Sequence, residues 1–200
     1  MTELKTTLRP PKTTSIALFL VFLLPVTLAS VLFFFHDRLP SPGTKNHGEL
    51  INPARPLEKF AAKTLEGKLL SIAYLRGKWT LVQIGEDECD LYCKASLFKT
   101  RQTRLAMGED IKRVQRLYLL PSESTGDHLQ PLLSEHPQLA VASLQKEAQA
   151  ELLNTLGTQP AGNIYIIDPL GNVMMRYSKD SKAKGMIDDL RHLLKVSRIG

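Results

Sequence analysis

The chain has 200 residues, of which 43% are hydrophobic and 23% are charged, and this size fits one globular domain with an additional segment rather than two full domains. Its formal net charge of +6 is modest, and the basic residues are not interleaved with aromatic residues that stack on bases. The composition therefore predicts no nucleic-acid partner.

The additional segment lies at the N-terminus, where residues 15–35 form the uncharged 21-residue run SIALFLVFLLPVTLASVLFFF. About 20 such residues are needed to cross the hydrocarbon core of a bilayer. A cleaved signal peptide would have a shorter apolar region followed by small residues, whereas this run ends in three phenylalanines. The sequence therefore predicts an uncleaved transmembrane anchor over residues 15–35, behind a cytoplasmic tail of residues 1–14.

The charges beside the anchor predict its orientation. Lys5, Arg9 and Lys12 precede the span with only Glu3 of opposite sign, and positively charged flanks remain in the cytoplasm. The expected location is thus the bacterial inner membrane, crossed once, with the C-terminal domain in the periplasm, an oxidising compartment where nearby cysteines can pair. The mitochondrial inner membrane is a weaker alternative, because the tail lacks the length and arginine content of a transit peptide.

The segment after the anchor, residues 36–56, holds four prolines and two glycines without an apolar period. This composition predicts a tether. The folded domain is accordingly predicted over residues 57–200.

The apolar patterns within the domain predict its elements in chain order. Strands are predicted at residues 60–62 and 69–73 around Gly67, then at 80–84, 114–120, 139–142, 164–167 and 173–177. Helices are predicted at residues 89–107, 127–135 and 145–156, and between Met186 and Leu194. Alternating strands and helices followed by an antiparallel hairpin predict an α/β fold with a mixed sheet flanked by helices, as in the thioredoxin fold.

Both cysteines lie in the stretch GEDECDLYCKAS, residues 85–96. If Cys89 begins a helix, Cys93 lies one turn later on the same face, about 6 Å along the helix axis. This separation suits a disulfide, and it equally suits one soft metal ion held by both sulfurs. A structural disulfide is a further alternative, although so short a loop constrains the unfolded chain only weakly.

Other residues near the cysteines have simple structural explanations. The adjacent strand residues Met174 and Met175 are expected to pack in the core rather than to bind metal. Four acidic residues are expected to interact favourably with the helix dipole rather than to bind metal. They are Glu86, Asp87, Glu88 and Asp90. Four basic residues of the predicted helix form either a basic docking face or an ordinary solvated surface. They are Lys94, Lys99, Arg101 and Arg104.

Three stretches of the sequence resemble the Sco family of membrane-anchored, thioredoxin-fold cytochrome c oxidase assembly proteins. These are EGKLLSIAYLRGKWTLVQIGEDECDLYC, VQRLYLLPSESTGDHLQPLLSEHP and NIYIIDPLGN. The most specific features are GKW before a strand, a glycine four residues before the first cysteine, the CxxxC spacing and the IDPxG turn. The resemblance covers about residues 55–196 and agrees with the N-terminal anchor.

The resemblance implies that Cys89 and Cys93 are the functional pair. Family members use these two thiolates and a distal histidine to hold copper, which they deliver, or they reduce the cysteines of the oxidase copper site. Pro160 stands at the position of that histidine. The chain is therefore predicted to be a divergent Sco-like protein, and Pro160 is also the candidate for the proline, often cis, that faces the cysteine pair in thioredoxin-like folds.

We therefore expect a membrane-anchored assembly factor for a haem-copper cytochrome c oxidase, acting by thiol–disulfide exchange through Cys89 and Cys93. Copper held by the same two cysteines is the alternative chemistry. The expected partners are oxidase subunits or other assembly factors. Two alternatives are a non-catalytic scaffold of oxidase assembly with structural cysteines, and a general periplasmic thiol oxidoreductase.

Overall fold

The computed structural model describes residues 12–35, 46–86, 88–121, 124, 126–157 and 162–200. The chain divides into two compact units, Met1–Lys45 and Asn46–Gly200. The first unit contains helix α1 (Lys12–Phe34), and its stretch Ile16–Phe34 is long and apolar enough to cross a membrane. Most of the predicted tail, and residues 36–45 of the predicted tether, lie outside the described residues.

The second unit is built on a mixed sheet with eight strands among the described residues. They are β1 (Glu49–Pro56), β2 (Ala61–Thr64), β3 (Leu69–Ser71), β4 (Trp79–Ile84), β5 (Val114–Leu120), β6 (Leu139–Leu144), β7 (Ile164–Ile167) and β8 (Asn172–Tyr177). Their order in the sheet is β1-β8-β7-β4-β5-β6-β2-β3. β4, β5 and β6 run parallel and the remaining neighbours pair antiparallel, which confirms the predicted mixed sheet.

The sheet is covered on both faces by helices. They are α2 (Ile72–Leu75), α3 (Leu91–Leu105), α4 (Gln130–Leu133), α5 (Lys146–Leu156) and α6 (Ala183–Val196). The predicted helix at residues 127–135 is instead a 3-10 turn, Asp127–Leu129, followed by the short α4. Pro131 has no N–H to donate, so a regular helix cannot run through this segment without losing a hydrogen bond.

Side chains of the central strands alternate between the two faces of the sheet. Leu81 of β4 packs in a buried cluster with Leu190 of α6, and its neighbour Val82 packs in another cluster with Leu152 of α5. Tyr118 of β5 joins a third cluster with Leu97 of α3. α3 and α6 thus cover one face of the central strands, and α5 covers the other.

The folded unit begins at Asn46 rather than at Leu57, because residues 49–56 form β1 and not part of the tether. β1 pairs antiparallel with β8 at the edge of the sheet. An edge strand tolerates proline, because one side of it makes no ladder hydrogen bonds. The two prolines of ELINPARP therefore make the sequence of this strand resemble that of a linker.

A buried carboxylate, Asp189 of α6, holds the start of this unit. It accepts hydrogen bonds from the backbone N–H groups of His47 and Gly48 at 2.9 and 2.8 Å, and from the Tyr177 hydroxyl at 2.8 Å. Burial alone would raise the pKa of Asp189, but these hydrogen bonds together lower it. The chain that leads into β1 is therefore fixed to α6.

Candidate functional site

The two cysteines lie where β4 ends and the chain passes into α3. α3 begins at Leu91, so Cys89 precedes the helix and Cys93 lies in its first turn. The two residues form a disulfide with their Cα atoms 5.1 Å apart. The disulfide is one of the two arrangements that the spacing allowed, and the helix begins two residues later than expected, so Cys89 lies outside it.

Asp90 begins α3 as its N-cap residue. Its carboxylate accepts a hydrogen bond from the backbone N–H of Cys93 at 2.8 Å, which satisfies one of the N–H groups that have no partner inside the helix. This contact agrees with the predicted structural role for the acidic residues. Glu86 and Glu88 are exposed nearby, and Asp87 lies outside the described residues.

Tyr118 of β5 contacts the disulfide. Its side chain is fully buried, and its hydroxyl oxygen lies 3.3 Å from the sulfur of Cys93. Burial raises the pKa of Tyr118 to about 12, and the negative charges of Glu86 and Asp90 add to this effect. The phenol is therefore neutral at physiological pH and can donate a hydrogen bond to a Cys93 thiolate.

Gly85 makes this approach of Tyr118 possible. A Cβ atom at residue 85 would lie 2.4 Å from the Tyr118 ring and hydroxyl, which is closer than non-bonded atoms tolerate. The glycine four residues before Cys89, noticed in the sequence as part of a motif, thus has a steric cause. Gln83, the next inward-facing residue of β4, donates from Nε2 to the Cys93 carbonyl at 3.4 Å.

A cleft of about 110 Å³ exposes the pair to solvent on the Cys93 side. Its lining includes the carboxylates of Glu86, Glu88 and Asp90 and the ring of Tyr92. The Lys179 ammonium lies 4.7 Å from the centre of that ring, in the geometry of a cation–π interaction. The cleft is thus small, and its charged lining residues are three carboxylates and one lysine.

A buried cation, Arg116, lies beneath α3. It is 2% exposed, and it donates to the Leu97 carbonyl at 2.8 Å and to the Thr100 hydroxyl at 3.0 Å. Burial, followed by the charges of Arg104 and Arg101, lowers its pKa to about 10, so it remains charged at neutral pH. Arg116 therefore anchors the helix that carries Cys93 to the sheet.

The described residues do not supply a third ligand for a metal ion beside the cysteines. No group of three or more histidine, cysteine, aspartate or glutamate residues suited to metal binding exists among them. His47 contacts Asp189 on α6, and His136 is buried with its pKa lowered by burial and by the charge of Arg116. Pro160 lies outside the described residues.

The two methionines weighed as ligands pack in the core. Met175 is buried, and Met174 packs against the cluster that α6 covers. Among the described residues, the donors around Cys89 and Cys93 therefore do not fit a site of two thiolates and one imidazole.

Sequence reasoning missed Tyr118, Arg116 and Lys179 as neighbours of the cysteines. Tyr118 and Arg116 come from β5, and their burial on the α3 face follows from strand alternation once the order of strands is known. Within VQRLYLL, apolar residues occupy both faces of the strand and each face carries one polar residue, Gln115 or Arg116, so the pattern gives no signal that Tyr118 contacts the cysteines. Lys179 comes from the loop between β8 and α6, which only the folded chain brings to Tyr92.

Comparison with known proteins assigns a family. A model of the transmembrane-like, thioredoxin-like, C-terminal domain matches residues 79–197, from the start of β4 to the end of α6, which is more than half of the chain. The chain belongs to this family. No curated protein matches it in sequence.

Several solved structures are similar to this one. ScoI of Bradyrhizobium japonicum, with copper bound, is 22% identical with a TM-score of 0.54, covering 67% of this chain and 96% of that one. BsSco, a member of the Sco family of cytochrome c oxidase assembly proteins with a disulfide switch, is 15% identical with a TM-score of 0.55, covering 72% and 96%. A thiol:disulfide interchange protein from Bacteroides sp. is 16% identical with a TM-score of 0.55, covering 76% and 91%.

At these identities, the likeness concerns the fold. The predicted thioredoxin-like architecture is confirmed, and the predicted resemblance to Sco proteins is confirmed as a structural similarity. The Bradyrhizobium japonicum structure contains copper, and this observation concerns that protein alone.

Proposed function

We propose that this protein is a membrane-anchored assembly factor for a haem-copper cytochrome c oxidase and acts by thiol–disulfide exchange through Cys89 and Cys93. The observation that carries the proposal is the disulfide at the start of α3, which borders an open cleft and contacts the Tyr118 hydroxyl. A disulfide with only a structural role needs neither an opening nor a hydrogen-bond donor beside its sulfur.

The exchange transfers two electrons between this protein and its partner. A partner thiolate attacks the Cys93 sulfur, which faces the cleft, so that a mixed disulfide forms while the bond to Cys89 breaks and Cys89 leaves as a thiolate. A second partner thiolate then attacks the partner's own sulfur in that mixed disulfide, and Cys93 leaves as a thiolate. The partner is oxidised to a disulfide, this pair is reduced to two thiols, and the reverse sequence reduces a partner disulfide.

Tyr118 is assigned the role of stabilising the sulfur that carries negative charge. The neutral phenol donates a hydrogen bond to the Cys93 thiolate. The partial positive charge at the N-terminus of α3 stabilises the same thiolate. The carboxylates of Glu86, Glu88 and Asp90 oppose thiolate formation and favour a partner segment that is basic.

The membrane anchor is supported by the length and composition of Ile16–Phe34. The basic residues that precede it favour a cytoplasmic N-terminus, which would place the folded unit in the periplasm of a bacterium. An oxidising compartment is consistent with the disulfide.

Copper transfer is the less favoured role for this pair. Two thiolates are soft donors, but the described residues add no third ligand beside them. The proposed function therefore assigns exchange, and not copper storage, to Cys89 and Cys93.

The test uses a strain that lacks this protein and whose oxidase is assayed under copper limitation. We expect the wild-type chain to restore oxidase activity and the Cys89→Ser, Cys93→Ser double variant to fail at equal expression. Restoration by the double variant would favour a scaffold role instead. Full oxidase activity in the strain without the protein would contradict any role in oxidase assembly.

A general thiol oxidoreductase is the second candidate function, and the similarity to the thiol:disulfide interchange protein from Bacteroides sp. favours it. This candidate predicts reduction of a generic disulfide substrate, such as insulin, at a useful rate. The proposed assembly factor is expected to reduce insulin slowly, because the cleft is small and acidic.

A further inference from the structure

The outward surface of α3 carries an apolar row, here named the α3 stripe. It consists of Leu91, Ala95, Phe98 and Leu105, which recur at helical spacing and are interrupted by the polar Gln102. Leu91, Phe98 and Leu105 are 82%, 55% and 50% exposed, while the opposite side of the helix is buried against the sheet. An ordered row of large apolar side chains on a soluble domain indicates an interaction surface.

Basic residues predominate along the sides of the α3 stripe. α3 contains no acidic residue, and Lys94 is exposed beside the stripe. α6 packs alongside α3, and Arg191 of α6 donates to the Ala106 carbonyl at the end of α3 at 2.9 Å. On α6 the exposed cations Lys184, Arg191 and Lys195 share a helix face with one half-exposed acidic residue, Asp188. An apolar row bordered by lysine and arginine is the pattern of a helix that lies in the interface of an anionic bilayer.

The chain length between anchor and domain also favours a bilayer as the occupant. Ten residues, 36–45, separate Phe35 from Asn46, and even a fully extended chain of this length spans no more than about 35 Å. Asp189 holds His47 to α6, so the segment from the anchor joins the domain in the helical layer that carries the α3 stripe. The chain that comes from the anchor therefore enters the folded unit beside α6.

We propose that the α3 stripe rests on the anionic surface of the membrane in which α1 is anchored. This inference rests on the anchoring in the proposed function and goes beyond it. Carboxylates flank both ends of the stripe, with Glu88 and Asp90 before Leu91 and Glu109 and Asp110 after Leu105, so they set no tilt of α3 relative to the membrane. Cys93, in the first turn of α3, is then held close to the headgroups and within reach of a membrane protein.

The test places the full chain in nanodiscs of phosphatidylcholine alone or mixed with phosphatidylglycerol. A nitroxide attached through Phe98→Cys reports collisions with oxygen, which partitions into lipid, and with a water-soluble nickel complex. Cys89 and Cys93 stay paired and do not take the label. The matched control is a nitroxide attached through Leu69→Cys in β3, an apolar residue that is 67% exposed, against 55% for Phe98. β3 is the edge strand at the β6-β2-β3 end of the sheet.

We expect the probe at residue 98 to favour oxygen over nickel in the anionic discs, and the probe at residue 69 to favour nickel in both lipids. A probe attached through Ala95→Cys should agree with that at residue 98, which guards against an effect of losing the Phe98 side chain. The protection at residue 98 should fall in about 1 M salt, where charges are screened within about 3 Å.

Equal nickel accessibility at residues 98 and 69 in anionic discs would overturn the proposal and leave a protein partner to cover the stripe. Equal protection of the probe at residue 98 from nickel in discs with and without phosphatidylglycerol would also overturn the proposal, because the charge of the lipid would then play no part. Failure of the chain to incorporate into discs would contradict the anchoring itself, and this outcome is distinguished by co-purification with the lipid before any probe is measured.

Discussion

At the scale of single residues, the proposed chemistry depends on the contact between the Tyr118 hydroxyl and the Cys93 sulfur, which are 3.3 Å apart. Burial, with Glu86 and Asp90, raises the pKa of Tyr118 to about 12, so the phenol remains a donor across the neutral range. A hydrogen bond to a charged group contributes about 1.5–3 kcal/mol. We therefore expect Tyr118→Phe to slow alkylation of the reduced protein at pH 7 by roughly tenfold, at about 1.4 kcal/mol per tenfold change.

The measurement is the pH dependence of iodoacetamide labelling, and the difference should close at higher pH as both proteins become thiolates. Tyr74→Phe removes a hydroxyl from a half-buried tyrosine of α2 and serves as the control. A Tyr118→Phe profile that coincides with the wild type would remove Tyr118 from the chemistry and leave it as a packing residue.

The two cysteines are predicted to differ in role, because the cleft is lined by Cys93 and not by Cys89. In a reduced protein, Cys93 attacks the partner disulfide and Cys89 resolves the mixed disulfide. We expect Cys89→Ser to accumulate a covalent complex with the partner on a non-reducing gel, and Cys93→Ser to accumulate much less. The opposite distribution would reverse the assignment of attacking and resolving thiols.

At the scale of elements, Asp189 links the chain that enters β1 to α6 through hydrogen bonds from His47, Gly48 and Tyr177. An amide at this position cannot accept all of them and adds N–H groups of its own. Asp189→Asn is therefore expected to lower the free energy of unfolding by about 2–3 kcal/mol. Asp188→Asn, at the half-exposed neighbouring residue, should change it little.

The effect of Asp189 should depend on pH in a defined direction. Its pKa is lowered in the fold, so its contribution is present above the unfolded value, about 3.9, and is lost as pH falls through the lower folded value. Urea unfolding of the full chain in detergent is expected to show a large difference between wild type and Asp189→Asn at neutral pH and a smaller one in strong acid. A difference that does not change with pH would contradict an ionised carboxylate.

The elements differ in how far the sequence predicts them. β5 was predicted at residues 114–120 with the correct ends, because the stretch VQRLYLL is rich in apolar residues and stops at Pro121. β1 was missed, because its prolines resemble a linker and its strand pairing comes from β8, far along the chain. The cysteine pair could be read from its spacing, whereas Tyr118 could not, since its contact with Cys93 exists only when β5 lies beside β4.

At the scale of the whole molecule, the site lies where the parallel strands β4 and β5 end, and α3 connects this site to the apolar stripe. The same helix therefore presents the disulfide at its start and an exposed apolar surface along its length. In the proposed function the disulfide carries out the exchange, and in the further proposal the stripe sets the height of the disulfide above the bilayer.

The central claim is that Cys89 and Cys93 exchange electrons with a partner, and their reduction potential tests it most directly. The full chain in detergent is equilibrated with graded mixtures of oxidised and reduced dithiothreitol, and free thiols are counted by the gel shift of a maleimide reagent. Structural disulfides of secreted proteins have potentials below about −300 mV, whereas labile ones lie higher. The account predicts a midpoint above about −300 mV, and a midpoint well below that value would show the pair to be a structural staple and would contradict the exchange function.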